Sequence, residues 1–169
     1  MIDPATTAEA VSTTVGSPVG TITLVAVDGA LTGLYLHEQR HAPPPETWGR
    51  PDPAAFGQVT AQLEAYFRGE LRSFDVPLAP RGTPFQQRVW TALRGIPYGK
   101  TTTYGELAAR IGAPGAARAV GLANGRNPIG IIVPCHRVVG SSGRLVGYAG
   151  GLERKQHLLD LERGAPALL

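Results

Sequence analysis

Cys135 is the only cysteine in the 169 residues, so no internal disulfide can form and an apolar core must hold the fold. The composition allows one, with 43% hydrophobic and 17% charged residues. The cysteine follows the apolar run Gly130-Ile131-Ile132-Val133, which reads as buried structure, and lies in Pro134-Cys135-His136-Arg137-Val138. A lone thiol at the end of a buried segment, next to an imidazole, is a candidate nucleophile. A free thiol has a pKa of about 8.5 and is only a few per cent thiolate at neutral pH, so a neighbouring base must activate it. A buried structural cysteine is the alternative that this stretch alone leaves open.

The length suits one large domain or two small ones. The longest apolar stretches fall far short of the roughly 20 residues of a membrane span, so no membrane partner is expected. Met1 to Ala10 carries Asp3 and Glu9 and no basic residue, unlike a signal peptide. With a reduced thiol, this predicts a cytoplasmic protein. His37, His41, His136 and His157 are scattered, and with one cysteine they give no zinc-type spacing, so no metal is expected. The charge is unevenly divided. Up to Arg81 there are 5 Lys+Arg against 9 Asp+Glu; from Gly82 there are 11 against 4, so −4 and +7 make the overall +3. A basic second half points to a nucleic-acid-facing module, with ordinary surface charge as the alternative.

Residues from about Thr13 to Leu36 read as a small antiparallel sheet, with a turn at Ser17-Pro18-Val19-Gly20 and a hairpin at Asp28-Gly29. His41 to Pro53 holds five prolines and predicts an irregular loop remote from chemistry. Phe56, Val59, Leu63, Tyr66 and Phe67 recur at helical spacing, after Asp52-Pro53 as cap and first-turn proline and before Gly69 as stop. Ser73 to Leu78 predicts one more strand, and Ala79-Pro80-Arg81-Gly82 a linker.

The second half predicts mainly helices: Thr83 to Arg94, Tyr104 to Ile111 and Ala116 to Ala123, with Gly112-Ala113-Pro114-Gly115 turning the chain between the last two. Two short helices joined by such a turn describe a helix-turn-helix. The second helix is built from small residues, Ala116, Ala117, Ala119, Gly121 and Ala123, with Arg118 read as its only long side chain. Such a surface can approach a minor groove, with Arg118 entering the duplex; tight helix packing is the alternative. Gly147-Tyr148-Ala149-Gly150-Gly151 predicts a loop that exposes backbone N–H groups. Leu152 to Glu162 predicts a last helix with Leu158, Leu159 and Leu161 inward, and Arg163 to Leu169 a loose tail.

Tyr104, Ala116-Ala117-Arg118-Ala119-Val120-Gly121, Asn127-Pro128, Pro134-Cys135-His136-Arg137-Val138, Gly147-Tyr148-Ala149-Gly150-Gly151 and Glu162 closely resemble, in order and spacing, the O6-alkylguanine-DNA alkyltransferases. The likeness runs from about Thr83 to Glu162. It implies two domains: an α/β domain of ribonuclease-H-like topology over 1–81, and a mainly helical, winged-helix-like domain over 82–169. It implies irreversible transfer of an alkyl group from O6 of guanine, and less efficiently from O4 of thymine, in double-stranded DNA to Cys135. No cofactor is implied. A monomer is expected, with cooperation between copies on DNA left open.

The resemblance also implies residue roles. His136 takes the thiol proton through water and Glu162 orients the imidazole. Tyr104 donates to the guanine N3. Arg118 fills the space left by the flipped base, on a helix whose Ala116, Ala117, Ala119 and Gly121 face DNA. Carbonyls of Cys135 and Val138 accept from the exocyclic amine, and the Ala149 N–H contacts O6, with Tyr148 in the same pocket. Asn127 braces the cysteine turn. Many relatives carry serine where Ala149 stands, and some carry proline where Gly130 stands, which implies a roomier pocket. A lesion sensor of the same fold lacks the cysteine, and Cys135 argues against it. A cysteine hydrolase of unrelated fold leaves the helix-turn-helix and the basic half without a role.

Overall fold

The computed structural model describes residues 9–164. The loose tail expected from Arg163 therefore lies, from residue 165, outside the described residues, as do most of the first ten.

Strands β1 (Ala10–Val15), β2 (Ile22–Val27) and β3 (Ala30–Leu36) form an antiparallel meander. Asp28 and Gly29 close the β2–β3 hairpin with φ of 51° and 78°, both left-handed, so the turn's twist matches that of the strands. The sheet order is β3-β2-β1-β4, and β4 (Arg50–Pro51) adds parallel to β1. This corrects the expectation of an irregular loop from His41 to Pro53. That segment forms a short edge strand flanked by 3-10 turns at Pro45–Thr47 and Pro53–Phe56. Proline is tolerated there because an edge strand need not donate on its outer side.

Helix α1 (Gly57–Phe67) buries Val59, Leu63 and Tyr66. It ends at Gly69, whose φ of 75° lets its N–H reach the Tyr66 carbonyl. The proline at Pro53 opens the 3-10 turn before α1 rather than α1 itself, and Asp52 makes no side-chain cap bond. The strand expected over Ser73 to Leu78 does not form; Leu78 makes a single bridge to Leu31. Pro77 lacks an N–H, and the Gln58 and Gln62 side chains take both backbone groups of Asp75.

The second half is helical: α2 (Pro84–Leu93), α3 (Tyr104–Arg110), α4 (Ala117–Gly125) and α5 (Leu152–Glu162). Thr83 with Gln86, and Thr103 with Glu106, form capping boxes that fix the starts of α2 and α3. Helices α3 and α4 make the helix-turn-helix, and α2 packs on both. The Trp90 indole N–H donates to the Ala123 carbonyl at 2.9 Å. A short parallel ladder joins β5 (Thr102–Thr103) to β6 (Val138–Val139).

One apolar core runs through both halves, from Leu24, Leu34 and Leu63 to Val89, Leu107, Ile131 and Leu158. The outer edge of β3 is covered twice. Leu31 exchanges hydrogen bonds with Pro77 and Ala79, and Leu34 with Pro128 and Gly130. This protects an edge that would otherwise invite pairing, and it anchors the segment leading to Cys135 on the sheet. Among the described residues no helix is long and apolar enough to cross a membrane.

Candidate active site

The route into Cys135 is a tight coil rather than a strand. Asn127 accepts from the Ile129 N–H at 3.0 Å and donates Nδ2 to the Val133 carbonyl at 2.8 Å. Between these bonds Ile131 is held at φ 70°, a left-handed conformation that β-branched residues avoid, with its side chain buried. The coil delivers Cys135–Arg137 as a 3-10 turn, and the β5–β6 ladder carries the exit past Thr103. Since α3 starts at the next residue, Tyr104 is brought beside the cysteine turn by backbone pairing alone. Asn124 of α4 donates Nδ2 to the Cys135 carbonyl at 3.3 Å, tying the small-residue helix to the same turn.

Glu162 lies at the centre of a buried charge cluster. Its Oε2 accepts from His136 Nε2 at 2.7 Å, Tyr66 Oη at 2.6 Å and an Arg137 NH2 at 3.0 Å. Its Oε1 accepts from Arg137 Nε at 2.8 Å, and from the Gly99 N–H at 3.4 Å. Arg137 also donates to the Ile96 carbonyl at 2.7 Å. Burial alone would raise the Glu162 pKa, but the donors from His136 and Arg137 outweigh it and hold the carboxyl well below the usual range. Burial pushes the His136 pKa down, against the pull of Glu162, so the imidazole is neutral. A carboxylate can only accept, so Nε2 carries the imidazole proton and Nδ1 carries the lone pair. Nδ1 has no hydrogen-bond partner among the described residues.

Burial also raises the Cys135 pKa, against lowering by the Asn127 side chain and the Lys155 charge, so the resting group is a thiol. Lys155 is fully buried in α5 and donates to the carbonyls of Val138, Val146 and Gly147 at 2.6, 3.0 and 3.2 Å. Its pKa is lowered to about 8 by burial. The Tyr104 hydroxyl donates to the Val146 carbonyl at 3.1 Å, and its pKa is raised by burial and by the nearby Cys135. Tyr148 is raised in the same way.

A cleft of about 110 Å³ opens beside this cluster, lined by Tyr104, Gly121, Asn124, Gly147, Tyr148 and Ala149. Arg40 and His41 complete its rim, so the loop expected to be remote from chemistry touches the pocket at its first residue. Gly121 and Gly147 both face Tyr104: a Cβ on Gly121 would lie 3.6 Å from its ring, and one on Gly147 3.9 Å from its hydroxyl. On α4, Arg118 and Ala119 are exposed and Ala116 and Ala117 half-buried. Val138 is buried with its carbonyl already bonded to Lys155, leaving one lone pair for another donor. The Ala149 carbonyl accepts from Arg40 N–H at 2.8 Å.

Sequence reasoning missed four polar members of this site. Tyr66 shows only as a core aromatic in the α1 pattern. Arg137 stands inside the Pro-Cys-His-Arg-Val stretch without a partner being evident. Asn124 and Lys155 sit on helices read only for their small or apolar residues. Reading α4 as having one long side chain also passed over Leu122, which is 69% exposed. Among the described residues no group of three or more His, Cys, Asp or Glu could hold a metal ion.

Two family models match the chain. One, described as 6-O-methylguanine DNA methyltransferase, ribonuclease-like domain, covers residues 11–80. The other, the DNA binding domain of the same family, covers residues 84–164. The chain is 60% identical over 155 residues to the methylated-DNA–protein-cysteine methyltransferase of Mycobacterium tuberculosis strain H37Rv, covering 91% of this chain and 93% of that protein. It is 54% identical over 147 residues to the protein of that name from Methanosarcina acetivorans, covering 86% and 94%. The crystal structure of Mycobacterium tuberculosis OGT in complex with DNA superposes with a TM-score of 0.87 at 58% identity, covering 93% of this chain and 96% of that one.

Proposed function

Because the chain belongs to the 6-O-methylguanine DNA methyltransferase family, we propose that Cys135 is the acceptor of its alkyl transfer and that the buried cluster around Glu162 serves that thiol. The protein is a DNA-repair alkyltransferase that acts once per molecule. Its substrate is O6-alkylguanine in duplex DNA, with O4-alkylthymine as the poorer one.

The observation that carries the residue assignment is a buried thiol whose neighbouring imidazole is held by a carboxylate at one nitrogen and keeps a lone pair at the other. The thiol proton passes to His136 Nδ1 through a bridging water, while Glu162 keeps the ring's orientation and tautomer. The sulfur attacks the alkyl carbon; the S–C bond forms as the C–O6 bond breaks. Negative charge develops on the purine as O6 leaves, and Tyr104 exchanges its bond to Val146 for one to the ring N3. The proton lost by sulfur is balanced by the one gained by the guanine. The thioether has no good leaving group, so the protein is spent.

The glycine-walled cleft supports entry of a base flipped from the stack, which costs a few kcal/mol. Arg118, exposed on α4, fills the vacated space, and Ala116, Ala117, Ala119 and Gly121 let the helix approach. The carbonyls of Cys135 and Val138 and the Ala149 N–H read the base, with Tyr148 along its side. Asn127 holds the coil that aims the thiol. The division into 1–81 and 82–169 is supported by the change of charge sign at Arg81-Gly82. The DNA substrate and the single reduced thiol support a cytoplasmic location.

Mixing the protein with methylated duplex and weighing it tests this. One methyl adduct on Cys135 and no turnover is expected, and Cys135→Ser should bind DNA yet take up nothing. A labelled serine variant, or multiple turnovers, would remove Cys135 from the role.

A further inference from the structure

Only three large apolar residues are exposed among the described ones: Leu122 at 69%, Leu152 at 47% and Val146 at 38%. A single exposed leucine is ordinary. The placement of these is not. Leu122 follows Gly121 and Val146 precedes Gly147; those two glycines face the ring and the hydroxyl of Tyr104 and line the base cleft. Two of the three are therefore chain neighbours of glycines that line the cleft.

On α4, residues advance by about 100° each. Val120, Ala123 and Asn124 are buried and define the inner face. Relative to Arg118, Gly121 then lies about 60° to one side and Leu122 about 40° to the other. Leu122 thus occupies the middle of the outward face, one turn beyond Arg118. No carboxylate interrupts this helix, and Arg126, exposed, follows it. The face is cationic at its ends and apolar at its centre. Phosphates would ask for the cations alone. A branched apolar side chain between them matches the interior of a minor groove, where sugars form the walls and a wedge can press on a base step.

We propose that Leu122 is an apolar wedge that enters the minor groove of duplex DNA beside Arg118 and lowers the cost of opening the stack. Arg118 replaces the departed base on the pocket side; Leu122 presses on the step next to it, away from Gly121. This rests on the reading of the chain as a duplex-DNA alkyltransferase.

The test compares Leu122→Ala and Leu122→Met with wild type. Since the side chain is exposed, both variants should melt with the parent. Transfer from a methylated guanine paired with cytosine, at subsaturating protein, should slow about tenfold in Leu122→Ala, equivalent to about 1.4 kcal/mol. Leu122→Met should restore most of it. The salt slope of DNA binding should not change, because no phosphate contact is lost. Transfer from the free alkylated base should be unaffected. Opposite an abasic site, where no base pair opposes flipping, the defect should shrink to less than about threefold. Unchanged duplex repair in Leu122→Ala overturns the proposal. So does equal slowing on the free base, which would place Leu122 in support of the pocket. So does equal slowing on the paired and abasic duplexes, which would leave packing without wedging. If the wild type itself fails to alkylate Cys135 from duplex, the functional reading fails instead, and that result is distinguishable from each of these.

Discussion

Replacing Glu162 with glutamine keeps the shape of the side chain and removes its charge. The carboxylate is 1% exposed and faces Arg137, 9% exposed, and His136, fully buried. The amide offers one acceptor oxygen where two now serve Tyr66, His136 and Arg137, and turns an NH2 toward donors. Arg137 is left as a buried charge without a counter-ion. Removing one partner of such a pair costs about 3–5 kcal/mol. For a chain of this size each kcal/mol moves Tm by about 2–4 °C, so Glu162→Gln should melt roughly 6–20 °C below wild type. The imidazole also loses its orienting acceptor. Transfer from a free alkylated base should slow by at least tenfold, within the about 10²–10⁴ that a positioned general base contributes. Adding Arg137→Met removes the orphaned guanidinium, so the double variant should be more stable than the sum of the single losses predicts. Thermal and urea unfolding at pH 7 of the four proteins gives the coupling energy. A Glu162→Gln protein melting within about 2 °C of wild type, or a double variant showing simple additivity, would refute the assignment of Glu162 as the charge centre.

Tyr66→Phe removes one hydrogen bond to Glu162 and keeps the ring against Phe67, Phe74 and Tyr98; with His136 and Arg137 still bonded, the loss in urea unfolding should be about 1.5–3 kcal/mol. Transfer should persist in that variant, because the imidazole keeps its acceptor. In acid, the unfolded chain binds more protons than the folded one at both His136 and Glu162, whose folded pKa values are lowered. Stability should therefore fall as pH drops below the ordinary histidine value of 6.5 and fall further below the carboxylate value of 4.5; denaturant midpoints across pH 3–8 check this, and Glu162→Gln should flatten the lower part. Lys155→Met leaves the carbonyls of Val138, Val146 and Gly147 without their donor and should cost about 1–3 kcal/mol while slowing transfer. Between about pH 8 and the ordinary lysine value of 10.5 the unfolded chain holds a proton that folded Lys155 has released, so wild-type stability gains a rising contribution there that Lys155→Met lacks.

What the sequence made legible was local. Thr83-Pro84 specifies a helix start from two adjacent residues, and Asp28-Gly29 specifies a hairpin from two. What it hid was made by distant partners. The β4 pairing depends on Val11 and Ser12, about 40 positions away, and proline-rich composition argues against it until an edge is available. The run before Cys135 has strand-like residues, yet Asn127 bends it so sharply that Ile131 turns left-handed. Lys155 looks like a surface lysine on a polar helix; only β6 and the loop beyond it supply its three carbonyls. The thiol, the imidazole and the carboxylate could be placed in roles through family resemblance. The tyrosine and arginine that share the carboxylate could not, because a core aromatic and a motif arginine give no sign in sequence of what they face.

The cluster around Glu162 also has an order in time. Tyr66 precedes Glu162 by 96 residues and Arg137 precedes it by 25. At a synthesis rate of about 5–20 residues per second, Arg137 leaves the peptidyl-transferase centre roughly one to five seconds before its counter-ion exists, and Tyr66 roughly 5–20 seconds before. Until α5 is made, closing the core around His136 and Arg137 would bury a guanidinium with nothing to balance it. The nucleophile is therefore translated before it can be housed. Helix α5 supplies both Glu162 and Lys155, so a chain that stalls before it would leave His136 and Arg137 without their acceptor and the Val138 carbonyl without its donor.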